Sequence, residues 1–295
     1  MMWQKVAFLL GFVPNVALAA KVPHVPVLPR QTPGISISDD PGSAGGYVEI
    51  PQHTSDGGPG VTILEATLTV PNLTFASGQS SAGAPYQLGV GCGIYAVTDA
   101  NSKADCNLRG PHMGINANLG SDGLTTPSAW TSWPYQPRQD LNSSQSALLN
   151  LTAGDDVSIQ ISVTNTTFAS YTFLNLKDTT NSVTIEQTSV TSYPICSGDG
   201  TTIYAGCALG VADPSKMPGF VELDFEAVMV YDRSNTTHDF GLDQQVQFYR
   251  LVSNGKVLAM PQIEEPYDFT VQWSENPDYG VGIGGGPSTT SALSW

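Results

Sequence analysis

Three carboxylates stand at alternate positions in the run VELDFE, residues 221 to 226. In an extended strand successive side chains point to opposite faces, so Glu222, Asp224 and Glu226 share one face while Val221, Leu223 and Phe225 share the other. Like charges in such a row repel, and Asp and Glu are poor strand residues, so the row is either a solvated face or a working one. A carboxylate beside a bound substrate can act as a general base toward water, and two on one strand face can divide acid and base work. Trp130 and Trp133, in SAWTSWPY, are a second candidate feature. They are flanked by Ser, Thr and Pro rather than by an apolar run. That suits at least one of them to line a groove for peptide or sugar, with ordinary packing as the alternative.

The elements that must carry these residues read as strands. YQLGVGCGIYAV, DDVSIQISV, SYTFLNL, SVTIEQTSV, FVELDFEAVMVYD, QVQFYRLV and YDFTVQW are short alternating segments between turn-forming residues, and VTILEATLTVPNL ends at a Pro as a strand should. The chain of 295 residues has 30 Gly, 21 Pro and only 13% charged residues, with 40% apolar content, enough for a real core. Many strands, no helical pattern and no internal repeat predict an all-β sandwich or jelly roll.

The ends read differently. MMWQKVAFLLGFVPNVALAA has a basic start, an apolar stretch and a small-residue cleavage site at Ala17-Leu18-Ala19, the pattern of a secretory signal peptide over residues 1–19. Residues 20–45 are Pro-rich and then Gly-rich, and read as a propeptide or linker. The folded body then spans 46–278, followed by a flexible Gly- and Ser-rich tail over 279–295. No later stretch is long and apolar enough to span a bilayer. A secreted, monomeric, extracellular protein is expected.

Two features agree with secretion. Sequons occur at Asn72, Asn142, Asn150, Asn165 and Asn235. The four cysteines permit three connectivities, and the local pairs Cys92–Cys106 and Cys196–Cys207 are expected because each closes a short loop. Cysteine spacing and the absence of a nearby His cluster predict no metal, and no phosphate-binding loop or cofactor motif is present. No G-x-S-x-G context supports a serine hydrolase. The net charge is −15, and the only basic residues of the first thirty positions, Lys5, Lys21 and Arg30, face no acidic residue there. The strongly acidic remainder repels nucleic acid and anionic membranes. Its charge keeps a secreted protein soluble, and protonation near pH ~4 would relieve the self-repulsion.

Five segments, in order, resemble the eqolisins, the secreted fungal glutamic peptidases, over roughly residues 46 to 250. LEATLTVPNL (64–73) resembles their early strand ending in Thr-Val-Pro, and SAWTSWPY (128–135) their Ala-Trp-Tyr-Glu-Trp-Tyr-Pro segment. LTAGDDVSI (151–159) is similar to their Ala-Gly-Asp strand start, and SYTFLNLKDTTNSVTIEQTS (170–189) to a later strand pair. VELDFEAV with HDFGLDQQVQF resembles their Ala-Glu-Trp-Ile-Val-Glu-Asp and Asp-Phe-Gly strands. The resemblance implies a concanavalin A-like β-sandwich (jelly roll), a protein or peptide substrate, and a Glu that activates water while a Gln amide stabilises the oxyanion. Carried over, the Glu falls on Glu222, with Glu226 at the motif's second Glu. In PHMGIN (111–116), anchoring on Gly114 puts His112 where the family has its Gln, and GYVEIPQ replaces the family's opening Trp-Ala-Gly. An imidazolium at His112 would donate a hydrogen bond at acid pH, the alternative being a histidine with no catalytic part. Glu222 and His112 are thus the candidate catalytic pair, with Trp130, Trp133, Asp224 and Glu226 toward substrate. ELDFE also resembles the Glu-x-Asp-x-Glu strand of laminarinase-type glycoside hydrolases, which would make the ligand a polysaccharide. A non-catalytic carbohydrate- or peptide-binding protein is the third reading.

Overall fold

The computed structural model describes residues 35–51, 60–98, 108–133, 137–165, 167–188, 201–240 and 245–274. In chain order its strands are β1 (Ile35–Asp40), β2 (Ser43–Pro51), β3 (Val61–Thr69), β4 (Tyr86–Thr98), β5 (Leu108–Leu119), β6 (Thr125–Ser132), β7 (Gln139–Asp140) and β8 (Asp156–Asn165). They continue as β9 (Phe168–Asn175), β10 (Ser182–Thr188), β11 (Thr201–Gly210), β12 (Glu222–Asp232), β13 (Thr237–His238), β14 (Gln245–Ser253), β15 (Lys256–Glu265) and β16 (Asp268–Trp273). One hydrogen-bonded path runs β10-β9-β8-β3-β12-β16-β15-β14-β2-β11-β4-β5-β6-β7, with β1 pairing β14 and β13 pairing β12. The path folds over near β15 into a β-sandwich, the β10-to-β16 half forming a first layer and the β14-to-β7 half a second.

Period-two alternation builds the core between the layers. In β8, Val157, Ile159, Ile161 and Val163 are buried while Ser158, Gln160 and Ser162 are only half-buried. Each such aliphatic side chain contributes about 1.5–3 kcal/mol on burial. Leu223 and Phe225 of β12 join Met113 and Ile115 of β5 in one continuous apolar cluster. Phe225 stacks on Phe269 with ring centroids 4.7 Å apart, and Phe248 of the second layer meets Phe269 edge-on at 5.8 Å. These contacts fix which face of each layer is inside.

Two sequence expectations change here. Residues 35–45, read as linker, are sheet: β1 runs parallel to β14, and Ser38, Asp40, Ser43 and Ala44 are buried. Ile35 and Ile37 alternate with Ser36 and Ser38 as a strand requires, a short pattern set among Pro and Gly. The flanking 1–34, with Val22, Val25 and Val27, and the tail from 275 lie outside the described residues. The described residues also include an α-helix, α1 (Ser143–Leu149), where no helical pattern is expected. It is too short to show a helical period. Its cause is local: the Asn142 side chain accepts from Gln145 N–H and the Gln145 side chain accepts from Asn142 N–H, a reciprocal N-terminal cap.

The Ala-Gly-Asp strand start acquires a structural role. The Asp155 carboxylate accepts from Thr152 N–H at 2.8 Å and from Asn175 Nδ2 at 3.1 Å, and pairs with Lys177 Nζ at 3.3 Å. Asn175 Nδ2 also reaches the Leu149 carbonyl, so Asp155 ties the β8–β9 hairpin to the end of α1. Burial alone would raise its pKa, but the hydrogen bonds from Thr152, Asn175 and Lys177 outweigh it and hold it below the usual carboxylate value. A depressed folded-state pKa gives stability that is present above the unfolded value, near ~4, and lost as pH falls through the folded value. Asp155→Ala is expected to cost about 2 kcal/mol in urea unfolding at neutral pH. Asp155→Asn should flatten the fall in stability below pH ~4, and an unchanged acid limb would disprove the assignment.

Candidate functional site

Register across the second layer defines its outer face. One row of directly paired residues runs Tyr249, Gly45, Ala208, Gly91, Gly114, Trp130 across β14, β2, β11, β4, β5 and β6. The next runs Gln247, Tyr47, Gly206, Gly93, His112, Ser132 on the same strands. Because Val90, Cys92, Met113, Ile115, Ala205 and Cys207 point into the core, these rows point out. The face is therefore floored by glycine where most sheets carry side chains.

Rings lie on that floor. Tyr249, Tyr47, Tyr95 and His112 form a chain of edge-to-face contacts, with successive centroids 5.8, 5.4 and 4.5 Å apart. A Cβ on Gly93 would fall 2.3 Å from the His112 ring, so only glycine lets that ring lie flat. Tyr47, Tyr95 and Ala208 make a second apolar cluster, separated from the main core by the sheet, with Tyr204 and Tyr249 packed against it. Burial, then Tyr95, raises the Tyr47 hydroxyl well above its usual pKa. Burial and the charge of Asp40 push Tyr249 up to about 12. These hydroxyls stay protonated donors through the acid and neutral range.

The structure separates the two residues proposed as a catalytic pair. Glu222 and Asp224 lie on the outer face of the first layer, half-buried, paired in register with Gln272 and Thr270 of β16. His112, 5% exposed, lies on the outer face of the second. The layers of a sandwich stand about 10 Å apart, and here the side chains diverge from both of them. Strand alternation, with Leu223, Phe225 and Met113 holding the inside, forbids their convergence. Glu226 is exposed beside the β12 bulge, where Ala227 has φ 50°. Trp133 is 1% exposed and belongs to the core, so it lines no groove. Trp130 does lie on the outer face, against Gly114, with the Arg138 guanidinium 4.9 Å from its ring centroid.

The cysteine expectation is likewise corrected. Cys92 bonds Cys207, which stand directly opposite on β4 and β11 with Cα atoms 4.0 Å apart. Neither local pair forms, because strand register and not loop length decides who meets. Cys106 and Cys196 lie outside the described residues. Among the described residues no His, Cys, Asp and Glu cluster could hold a metal.

A family model described as the peptidase A4 family matches residues 44–273. The chain belongs to the peptidase A4 family, the eqolisins. Crystal structures of scytalido-glutamic peptidase share its fold. The complex with a transition-state analogue inhibitor is 14% identical with a TM-score of 0.52, covering 79% of this chain and 98% of that one. A second, with a peptide-based transition-state analogue, is 16% identical with a TM-score of 0.50 and the same coverage. No curated protein matches the chain. No helix among the described residues is long and apolar enough to cross a membrane.

Sequence reasoning missed Asp40, Tyr47, Tyr95, Tyr204 and Tyr249. A signal existed in GVGCG, whose glycines at 89, 91 and 93 alternate and so strip one strand face of side chains. Two checks follow from this geometry. Peptide mapping of the unreduced protein should recover Cys92 linked to Cys207, and recovery of Cys92 with Cys106 would overturn the register. A Cβ on Gly114 would stand 2.3 Å from the Val90 carbonyl oxygen and 2.9 Å from Trp130 Cζ2. Gly114→Ala should therefore force β4 and β5 apart and lower stability by about 1–3 kcal/mol in thermal or urea unfolding.

Proposed function

We propose that this chain is a secreted peptide-binding member of the peptidase A4 family, taking peptide along the glycine-floored face around His112, without hydrolysis by Glu222 and His112. The observation that carries this reading is the placement of those two residues on opposite outer faces. A general base must come within hydrogen-bond reach of the water it activates, directly or through one further water. Beside His112 in register stand Gly93 and Ser132, and beyond Gly93 stands Gly206. Two carboxylates toward that face, Glu49 and Asp140, are engaged with other partners. Glu49 accepts from the Tyr204 hydroxyl at 3.3 Å, and Asp140 pairs with Arg138 at 2.7 Å.

Family membership favours peptide over polysaccharide as the ligand. The strand backbone beneath is already paired, so the donors and acceptors for an extended chain are side chains, the tyrosine hydroxyls and the His112 imidazole, while glycine supplies the room above the sheet. The six strands from Tyr249 to Trp130 span about 24 Å at ~4.8 Å per strand, room for roughly seven extended residues. Secretion rests on the signal-peptide pattern, on the buried Cys92–Cys207 bond and on the sequons. Asn72, Asn142, Asn150, Asn165 and Asn235 are all exposed, as glycan acceptors must be.

Purified protein incubated with denatured serum albumin at pH ~3.5, where an Asp or Glu side chain can still act as a base, should give no cleavage above a buffer control. Glu222→Gln should leave retention of albumin peptides on the immobilised protein unchanged, while His112→Ala reduces it. Cleavage that disappears in Glu222→Gln would overturn the reading in favour of a glutamic endopeptidase. Hydrolysis of β-glucan, lost in both Glu222→Gln and Glu226→Gln, would favour the glycosidase.

A further inference from the structure

The outer face ends, on the β14 side, in a carboxylate that peptide binding as drawn above leaves idle. Asp40 is 1% exposed, and its Oδ1 accepts from the backbone N–H groups of Gly42 and Ser43, both at 2.7 Å. Its Oδ2 is buried with no hydrogen-bond partner, and so is the Oγ of Ser43. Alternation along β2 puts Ser43 on the same outer face as Gly45 and Tyr47. The Asp40 charge also reaches Tyr47 and Tyr249, the first two rings of the chain that leads to His112. The two unmet oxygens therefore stand at the head of the ring chain.

A buried carboxylate oxygen without a donor is costly, so the position calls for one. The geometry narrows its chemistry. A guanidinium is flat and matches two carboxylate oxygens at once, but Oδ1 is already taken by two amides. An ammonium is compact and carries three donors, so one can address Oδ2, one Ser43 Oγ, and the charge can rest against the tyrosine rings. We propose that Asp40 and Ser43 form an ammonium site that receives either the N-terminal amine or a lysine side chain of the bound peptide. This rests on the peptide-binding reading and assigns that face its direction, cationic group toward β14 and the rest of the chain toward Trp130. A buried water bridging the two oxygens is the competing occupant.

The test uses the full-length protein, immobilised, and a tryptic-independent acid digest of serum albumin in three forms: untreated, guanidinated at lysine only, and acetylated at every amine. Acetylation should lower retention by about ten- to a hundredfold, the range for one charged hydrogen-bonded contact. A fall on guanidination alone assigns the site to lysine, whereas no fall assigns it to the N-terminal amine. The Asp40→Asn protein should retain acetylated and untreated digests equally. Equal retention of all three digests by the wild type, or a preference for untreated peptide that survives in Asp40→Asn, would sink the ammonium site while leaving peptide binding intact. No retention of any digest would sink both. Should Asp40→Asn fail to fold, the three wild-type arms still decide.

Discussion

One dry interior shared by two layers is the constraint on which everything else in this molecule depends. Once Leu223 and Phe225 from one layer and Met113 and Ile115 from the other are committed to it, period two dictates the rest. Every residue between them must point outward, and the two outward directions are opposed. Glu222 and His112 are thus separated by the same alternation that makes their strands stable. A shift of one residue in either strand could reverse that, but it would turn a row of apolar side chains into water, and each is worth about 1.5–3 kcal/mol.

The second layer uses this constraint differently from the first. Its inner face is conventional, yet its outer face alternates glycine with aromatic rings, so a small second cluster forms where solvent usually begins. Glycine weakens a strand, and five of them close together would be a liability without compensation. Here the compensation is visible: the rings of Tyr47, Tyr95 and His112 lie on the vacated backbone, and the Cys92–Cys207 bond holds β4 against β11 beneath them. A stretch of sheet that invests this much in shape on its solvent side is the natural place to look for a ligand.

Much of the fold was legible in the sequence because it depends on local pattern. The alternations in residues 157–163 and 221–226 name the strands and their buried faces without any tertiary knowledge. The ordered resemblance of LEATLTVPNL, LTAGDDVSI and VELDFEAV named the family. What stayed hidden depends on which strands become neighbours. Cys92 meets Cys207 because β4 and β11 pair, and nothing within either segment announces that. The same holds for the site. Which outer face a residue occupies requires the order of strands in the sheet, so Glu222 and His112 could be aligned to motifs and still be placed on opposite sides. Asp40 was hidden for a simpler reason: its strand is embedded in Pro and Gly that mimic a linker.

The disulfide joins residues separated by 115 positions. Between its two ends the chain passes through β5, β6 and β7 of the second layer, then α1 and β8, β9 and β10 of the first. The covalent ring so closed therefore threads both halves of the sandwich. A single break of the backbone anywhere inside that ring opens it into two arms that remain bonded through sulfur, so no fragment is released. This makes nicking and dismantling separate events: the first needs one exposed loop, the second also needs reducing conditions.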